Sequence, residues 1–246
     1  MRNVMVILAA LPLAACGSVA MGNDSGSKVS ANGTGSSRSF QVAGFDHVDL
    51  RGFDDVDVKV GPAFSVRAEG PSEELDKLDI RKDGTTLKVG RVNQNGFNWG
   101  DRHGKGVRVY VTMPAMKGAS VAGSGDMTVD RVVGGDFDGS IAGSGNLTIG
   151  ELGVNSADLS IAGSGDLKAN GQVGRMKASI AGSGDVDAPG LKASNADVSI
   201  AGSGGVHADV SGQAEVSLMG SGDVDLGPNA HCSTSKMGSG EVRCGS

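Results

Sequence analysis

Seven copies of one phrase lie between Val121 and Cys244 and constrain everything this chain can become. Each copy reads apolar, small, Gly, Ser, Gly, acidic, apolar. The small residue falls at Ala122, Ala142, Ala162, Ala181, Ala201, Met219 and Met237, so the spacings are 20, 20, 19, 20, 18 and 18 residues. Self-similarity at this period marks a stacked architecture, in which each unit buries its apolar face against its neighbours because it cannot close a core alone.

Within a copy the pattern alternates with a period of two. In the third, Leu159, Ile161, Leu167 and Ala169 are apolar, while Asp158, Ser160, Asp166 and Lys168 are polar. That period places one set on one face of a strand. Gly-Ser-Gly turns the chain between two such arms. A helix is disfavoured, because each interior glycine costs it about 1 kcal/mol. A propeller blade needs about 40 residues, twice what a copy offers, and a sandwich has no reason to repeat one turn seven times. The expected fold is therefore all-β: a parallel β-helix (β-solenoid) of about 18–20 residues per coil, right-handed as parallel crossovers overwhelmingly are. Ile141, Ile161, Ile180 and Ile200 form one inward ladder. Leu147, Leu167, Val186, Val206, Val224 and Val242 form another. Lys236 breaks the first ladder and marks an end coil open to water.

The chain begins with Met-Arg-Asn, an apolar run and Leu13-Ala14-Ala15-Cys16. A basic start, a short apolar core and small residues at the cut form a secretory signal over residues 1–15. The run is shorter than the roughly 20 apolar residues of a membrane span. Leu-Ala-Ala-Cys resembles a bacterial lipobox, which implies cleavage before Cys16 and acylation of its thiol. Gly17 rather than Asp after the cysteine implies, by the same resemblance, delivery to the outer membrane of the cell envelope. Residues 16–39 are rich in Gly, Ser and Asn and read as a flexible tether.

Removing residues 1–15 takes away only Arg2 and leaves 21 basic against 28 acidic residues, net −7. Nucleic acid is not a fitting partner for that balance. Two cysteines remain beyond Cys16, Cys232 and Cys244, and an oxidising compartment points to a disulfide between them across the last coil.

The folded part is expected to span 40–246, with an irregular first section, 40–116, ahead of the repeats of 117–246. Val48 and Leu50, then Val56, Val58 and Val60, then Phe64, Val66 and Ala68, alternate as strands do. Ser72-Glu73-Glu74-Leu75 predicts one short helix, followed by strands at 79–82, 85–90 and 107–113. Residues 91–106 read as a long loop, in which Phe97, Trp99 and His103 offer a contact patch or simply a hairpin tip. The Gly-Phe-Asp opening, Glu73-Glu74-Leu75, Gly84-Thr85-Thr86-Leu87, Met113-Pro114 and the reiterated Gly-Ser-Gly-Asp resemble the autotransporter-adhesin head (GIN) domain family of bacterial envelope proteins. The resemblance covers Phe40 to the C-terminus. It implies a β-helical domain and brings no catalytic residues.

Function follows from what recurs. The corner acids Asp126, Asp166, Asp185, Asp223 and Glu241 form a row that calcium would neutralise, or that accepts backbone N–H bonds within the turns. No base recurs beside the corner serines, so nucleophilic catalysis has no support. The repeat section holds no Trp or Tyr for a glycan lyase or hydrolase. The reading is a non-enzymatic, lipid-anchored envelope solenoid with a structural, adhesive or ligand-display role toward a glycan or protein surface. It needs no cofactor. A calcium-binding module is the alternative, and a glycan-active enzyme the more distant one.

Overall fold

A computed structural model describes residues 26–92 and 106–245. The described residues are 68% strand with one short helix, wound as a β-solenoid of about six turns. Four strands of 16 or 17 residues each make nearly a full coil: Met127–Gly143, Leu147–Gly163, Leu167–Gly182 and Val186–Gly202. Each pairs in parallel with the next in repeat register, so that Val121, Ile141, Ile161, Ile180, Ile200, Leu218 and Lys236 form one column. The two expected ladders are buried through Leu218 and Val224. Val242 is only half-buried and Lys236 is exposed, as an end coil requires.

The corner explains why Gly-Ser-Gly is repeated. The first glycine has a positive φ in every copy, from +129° to +143°. A Cβ on it would sit 1.9–2.3 Å from the carbonyl oxygen of the corner glycine in the coil before, closer than atoms can pack. Ser144 N and Gly145 N both donate to Gly123 O, at 2.8 and 3.0 Å, and the same fork recurs up the stack. The corners are therefore held mainly by backbone. One hydroxyl pair, Ser239 to Ser221, adds a bond of 3.0 Å.

Behind the corner the core fills by compensation. Phe137, Ala157, Met176 and Ala196 occupy one inward column. Two residues on, Gly139, Leu159, Ala178 and Val198 occupy the next. A large residue in one column thus faces a small one in the other, and a Cβ at Gly139 would lie 3.1 Å from Phe137 Cε1. Near-constant volume per coil lets unlike residues keep native packing density.

The irregular section supplies two more coils and a lid. His47–Gly52 and Asp55–Val60 pair in parallel with Gly118–Gly123 and the start of Met127–Gly143. Gly52-Phe53-Asp54-Asp55 is thereby an eighth corner, which the repeat pattern does not reveal. Thr86–Arg91 and Arg108–Met113 stack on the far side of that coil, so spatial order departs from chain order. Leu78–Asp83 then pairs antiparallel with Thr86–Arg91, and Ser65–Glu69 with Arg108–Met113, which closes this end. The strands Ser27–Lys28, Ala31–Asn32 and Ser37–Phe40 fall partly inside the stretch expected as tether; ordered structure reaches back that far. The helix is Ser72–Leu75, with Pro71 at its N-cap and no side-chain cap bond. The Ser72 Oγ accepts from Arg38 Nη2 at 3.1 Å.

Candidate functional site

The corner acids do not cap their own turns. Asp126 Oδ1 accepts from Asn146 N of the next coil at 3.0 Å, Asn146 Oδ1 from Asp166 N at 3.0 Å, and Asp166 Oδ1 from Asp185 N at 3.1 Å. Asp185 Oδ1 accepts from Gly205 N at 2.5 Å, and Asp223 Oδ1 from Glu241 N at 2.8 Å. The column is a running ladder that ties coil to coil. Asn146 serves as well as Asp because the ladder uses one oxygen, not the charge. Gly205 has no such oxygen, and the ladder breaks there. Among the described residues no three or more His, Cys, Asp or Glu side chains converge as metal ligands. Asp126, Asp166, Asp185, Asp223 and Glu241 stand in a line rather than around a point, and the calcium reading gains no support.

Beside this ladder runs a second outward column, Lys168, Asp187, His207, Asp225 and Arg243. Lys168 and Arg243 stand beside Asp187 and Asp225 in this column, with His207 between the two acids and its Nδ1 3.8 Å from Asp187 Oδ1. Opposed charges on neighbouring strands contribute roughly 0.2–1 kcal/mol each. Between the two columns the missing side chain at Gly205 opens a shallow groove of about 440 Å³. Sequence reading missed this column, though taking every second residue after the corner acid would have found it.

Two charge clusters brace the first section. Asp54 is fully buried and takes Arg91 Nε and Nη2 at 2.7 and 2.6 Å, with Val107 N at 2.9 Å. Arg91 also bonds Glu74, and that bond, with help from Lys77, lowers the Glu74 pKa. Asp46 bonds His47 Nδ1 at 2.7 Å and Lys117 Nζ at 3.0 Å. Desolvation is the largest single influence on Asp46 and pushes it up; hydrogen bonds from Lys117, His47 and Thr85 outweigh it and hold the pKa at about 2. The His47 ring lies over Gly118, where a Cβ would come within 2.3 Å of it. The Asp54 cluster ties the first section to itself, and the Asp46 cluster, through Lys117, joins it to the repeats.

Cys232 and Cys244 form a disulfide, with Cα atoms 6.2 Å apart. Cys16 and the patch residues Phe97, Trp99 and His103 lie outside the described residues. Among the described residues no helix is long and apolar enough to cross a membrane.

A closed lid, an open end, glycine corners and outward polar columns define a class: the solenoid head domain, in which regular coils present side chains in columns. The chain matches the family model described as "Putative auto-transporter adhesin, head GIN domain" over residues 44–230, and it belongs to that family. No curated protein matches it. Among solved structures it is similar to a "putative adhesin" of Bacteroides fragilis, at TM-score 0.76 and 20% identity, over 85% of this chain and 95% of that one. It is also similar to a "putative lipid binding protein" of Parabacteroides distasonis, at TM-score 0.68 and 23% identity, over 87% and 98%. At such identities the likeness is one of fold.

Proposed function

We propose that this chain is a non-enzymatic, lipid-anchored module of the bacterial cell envelope that makes adhesive or structural contact through its outward columns. The observation that carries this reading is the construction itself. Side chains on the coil exteriors repeat at about 4.8 Å, while buried residues are spent on stacking. The Leu-Ala-Ala-Cys leader supports anchoring at Cys16, and membership in an adhesin-head family supports a surface or envelope location.

The test has two parts. Wild type and Cys16→Ser are expressed in a Gram-negative host and fractionated. Wild type is expected in the outer-membrane fraction with an acylated N-terminus by mass spectrometry, and Cys16→Ser in the soluble fraction. The purified domain is then applied to immobilised envelope glycans and proteins, where saturable binding is expected. Equal fractionation of the two forms overturns the anchor. Absence of binding to every surface overturns the adhesive role.

A further inference from the structure

The last coil is built unlike those before it. Its strand His231–Gly238 pairs with Gln213–Gly220, setting Cys232 over Ala214, Thr234 over Val216 and Lys236 over Leu218. Val242 continues the column of Val224, and Cys244 follows two residues on. What this coil covers is hydrocarbon: Ala214, Val216, Leu218, Val224 and Leu226 are all buried. What it brings is mostly polar. Ser233, Thr234, Ser235 and Lys236 are exposed, and the side chains it packs against the core are Cys232, Val242 and Cys244. Two of those three are the halves of one disulfide.

The coils before it stack between two neighbours; this one has a single neighbour among the described residues. Its ladder, with Glu241 N donating to Asp223 Oδ1 at 2.8 Å, holds it in place. One-sided pairing at a chain end opens at low cost unless apolar burial raises that cost. Here the covalent bond stands in for burial. It is also within reach of a reagent, because Cys232 and Cys244 are only half-buried at the end of the molecule.

With the coil open, Gln213–Gly220 becomes the edge, eight residues long and without the inward lysine of His231–Gly238. Such an edge recruits a strand. The opposite end of the solenoid is closed by antiparallel strands, so the strand that fits is the same edge of a second molecule. Two identical edges pair antiparallel about a two-fold axis. With Val216 of one molecule opposite Val216 of the other, Ala214 stands opposite Leu218 and both cores lie on one side of the joined sheet. Glu215 then stands opposite Ser217, so no like charges meet. A slip of one residue would set Val216 against the outward Ser217.

We infer that the last coil is a latch closed by the Cys232–Cys244 disulfide, which a dithiol reductant opens so that the Gln213–Gly220 edges of two molecules pair. One thiolate of the reductant attacks a sulfur of the bond and forms a mixed disulfide. Its second thiol then displaces the protein sulfur. The reductant leaves as a disulfide, and Cys232 and Cys244 take up the two electrons and two protons as thiols.

The test uses the Cys16→Ser protein, whose remaining cysteines are Cys232 and Cys244, with dithiothreitol as the reductant. On reduction, hydrogen-exchange protection in His231–Gly238 is expected to fall roughly 30-fold or more, with the coils from Met127–Gly143 to Val186–Gly202 unchanged. Sedimentation velocity is expected to show a monomer when oxidised and a concentration-dependent dimer when reduced, reverting once dithiothreitol is removed and the bond re-forms. In the reduced protein Gln213–Gly220 is expected to be protected at high concentration and to lose protection on dilution. Cys232→Ser/Cys244→Ser is expected to dimerise without reductant and to ignore its addition. Protection in His231–Gly238 that survives reduction overturns the latch, and so does protection lost from every coil at once, since the bond would then hold the whole fold. An opened coil in a protein that stays monomeric at every concentration overturns the pairing of edges.

Discussion

At the scale of one residue, the corner glycines and the corner acids carry different loads. Gly163 has φ +138°, and a Cβ there would be 2.2 Å from Gly143 O. Both strain and collision must be relieved by parting two coils. Gly163→Ala is therefore expected to destabilise by about 3 kcal/mol or more, read as a lowered midpoint in urea unfolding. Gly153 has an ordinary φ, and its nearest neighbours would be 3.7–3.8 Å from an added Cβ. Gly153→Ala is expected to be neutral or slightly stabilising. The acid ladder predicts a second contrast. Asp166→Ala removes the acceptor for Asp185 N and is expected to cost about 1 kcal/mol. Asp166→Asn keeps an oxygen in place, as Asn146 does naturally, and is expected to cost little. If both variants lose equally, the ladder acts through charge rather than through one accepted hydrogen bond.

At the scale of elements, stability concentrates where the chain departs from repetition. The disulfide closes a short loop, Cys232 and Cys244 being 12 apart in sequence, across the terminal coil. Its removal by paired Cys→Ser substitution is expected to cost roughly 2–3 kcal/mol on the chain-entropy account, with hydrogen-exchange protection lost first in His231–Gly238. At the other joint, Asp46 couples the start of the repeats to the first section through Lys117 and His47. Its folded pKa, about 2, lies below the ordinary aspartate value of 3.8. The linkage is therefore fully present above the unfolded pKa and is lost as pH falls through the folded one. The stability difference between wild type and Lys117→Ala is expected to be constant above about pH 5 and to vanish toward pH 2, in urea titrations at stepped pH. How much of this was legible follows from what repeats. The inward ladders, the corner and the disulfide pairing could be read because period two and period 20 leave marks in one dimension. The eighth corner escaped because Phe53 and Asp54 replace the serine and second glycine of the phrase, although Leu50 and Val56 flank it correctly. The antiparallel lid escaped because strands of similar pattern carry no mark of their order in space.

At the scale of the whole molecule, the two ends are treated in opposite ways. The end nearest the N-terminus is closed by antiparallel strands whose outermost members are short. The other end stops at His231–Gly238, an eight-residue strand with one edge of its ladder unpaired among the described residues. An edge of that length is a template for another chain. What blunts it is polar substitution in the inward columns. Thr234 follows Val216, and Lys236 follows Leu218. Lys236 Nζ turns back to donate to Gly240 O at 2.8 Å, setting a charge where the next coil would need a hydrocarbon. Met219 and Met237, 60% and 71% exposed, already make the neighbouring outward column apolar. Restoring the ladder with Thr234→Val and Lys236→Leu is thus expected to raise the stability of the last coil and to cost the molecule its monodispersity. Sedimentation velocity over a tenfold concentration range should show wild type unchanged and the double variant shifting to larger species. The shift should reverse when a single lysine is returned at position 236. A double variant that stays the same size at every concentration would mean that the disulfide, not the inward charge, keeps this edge from pairing.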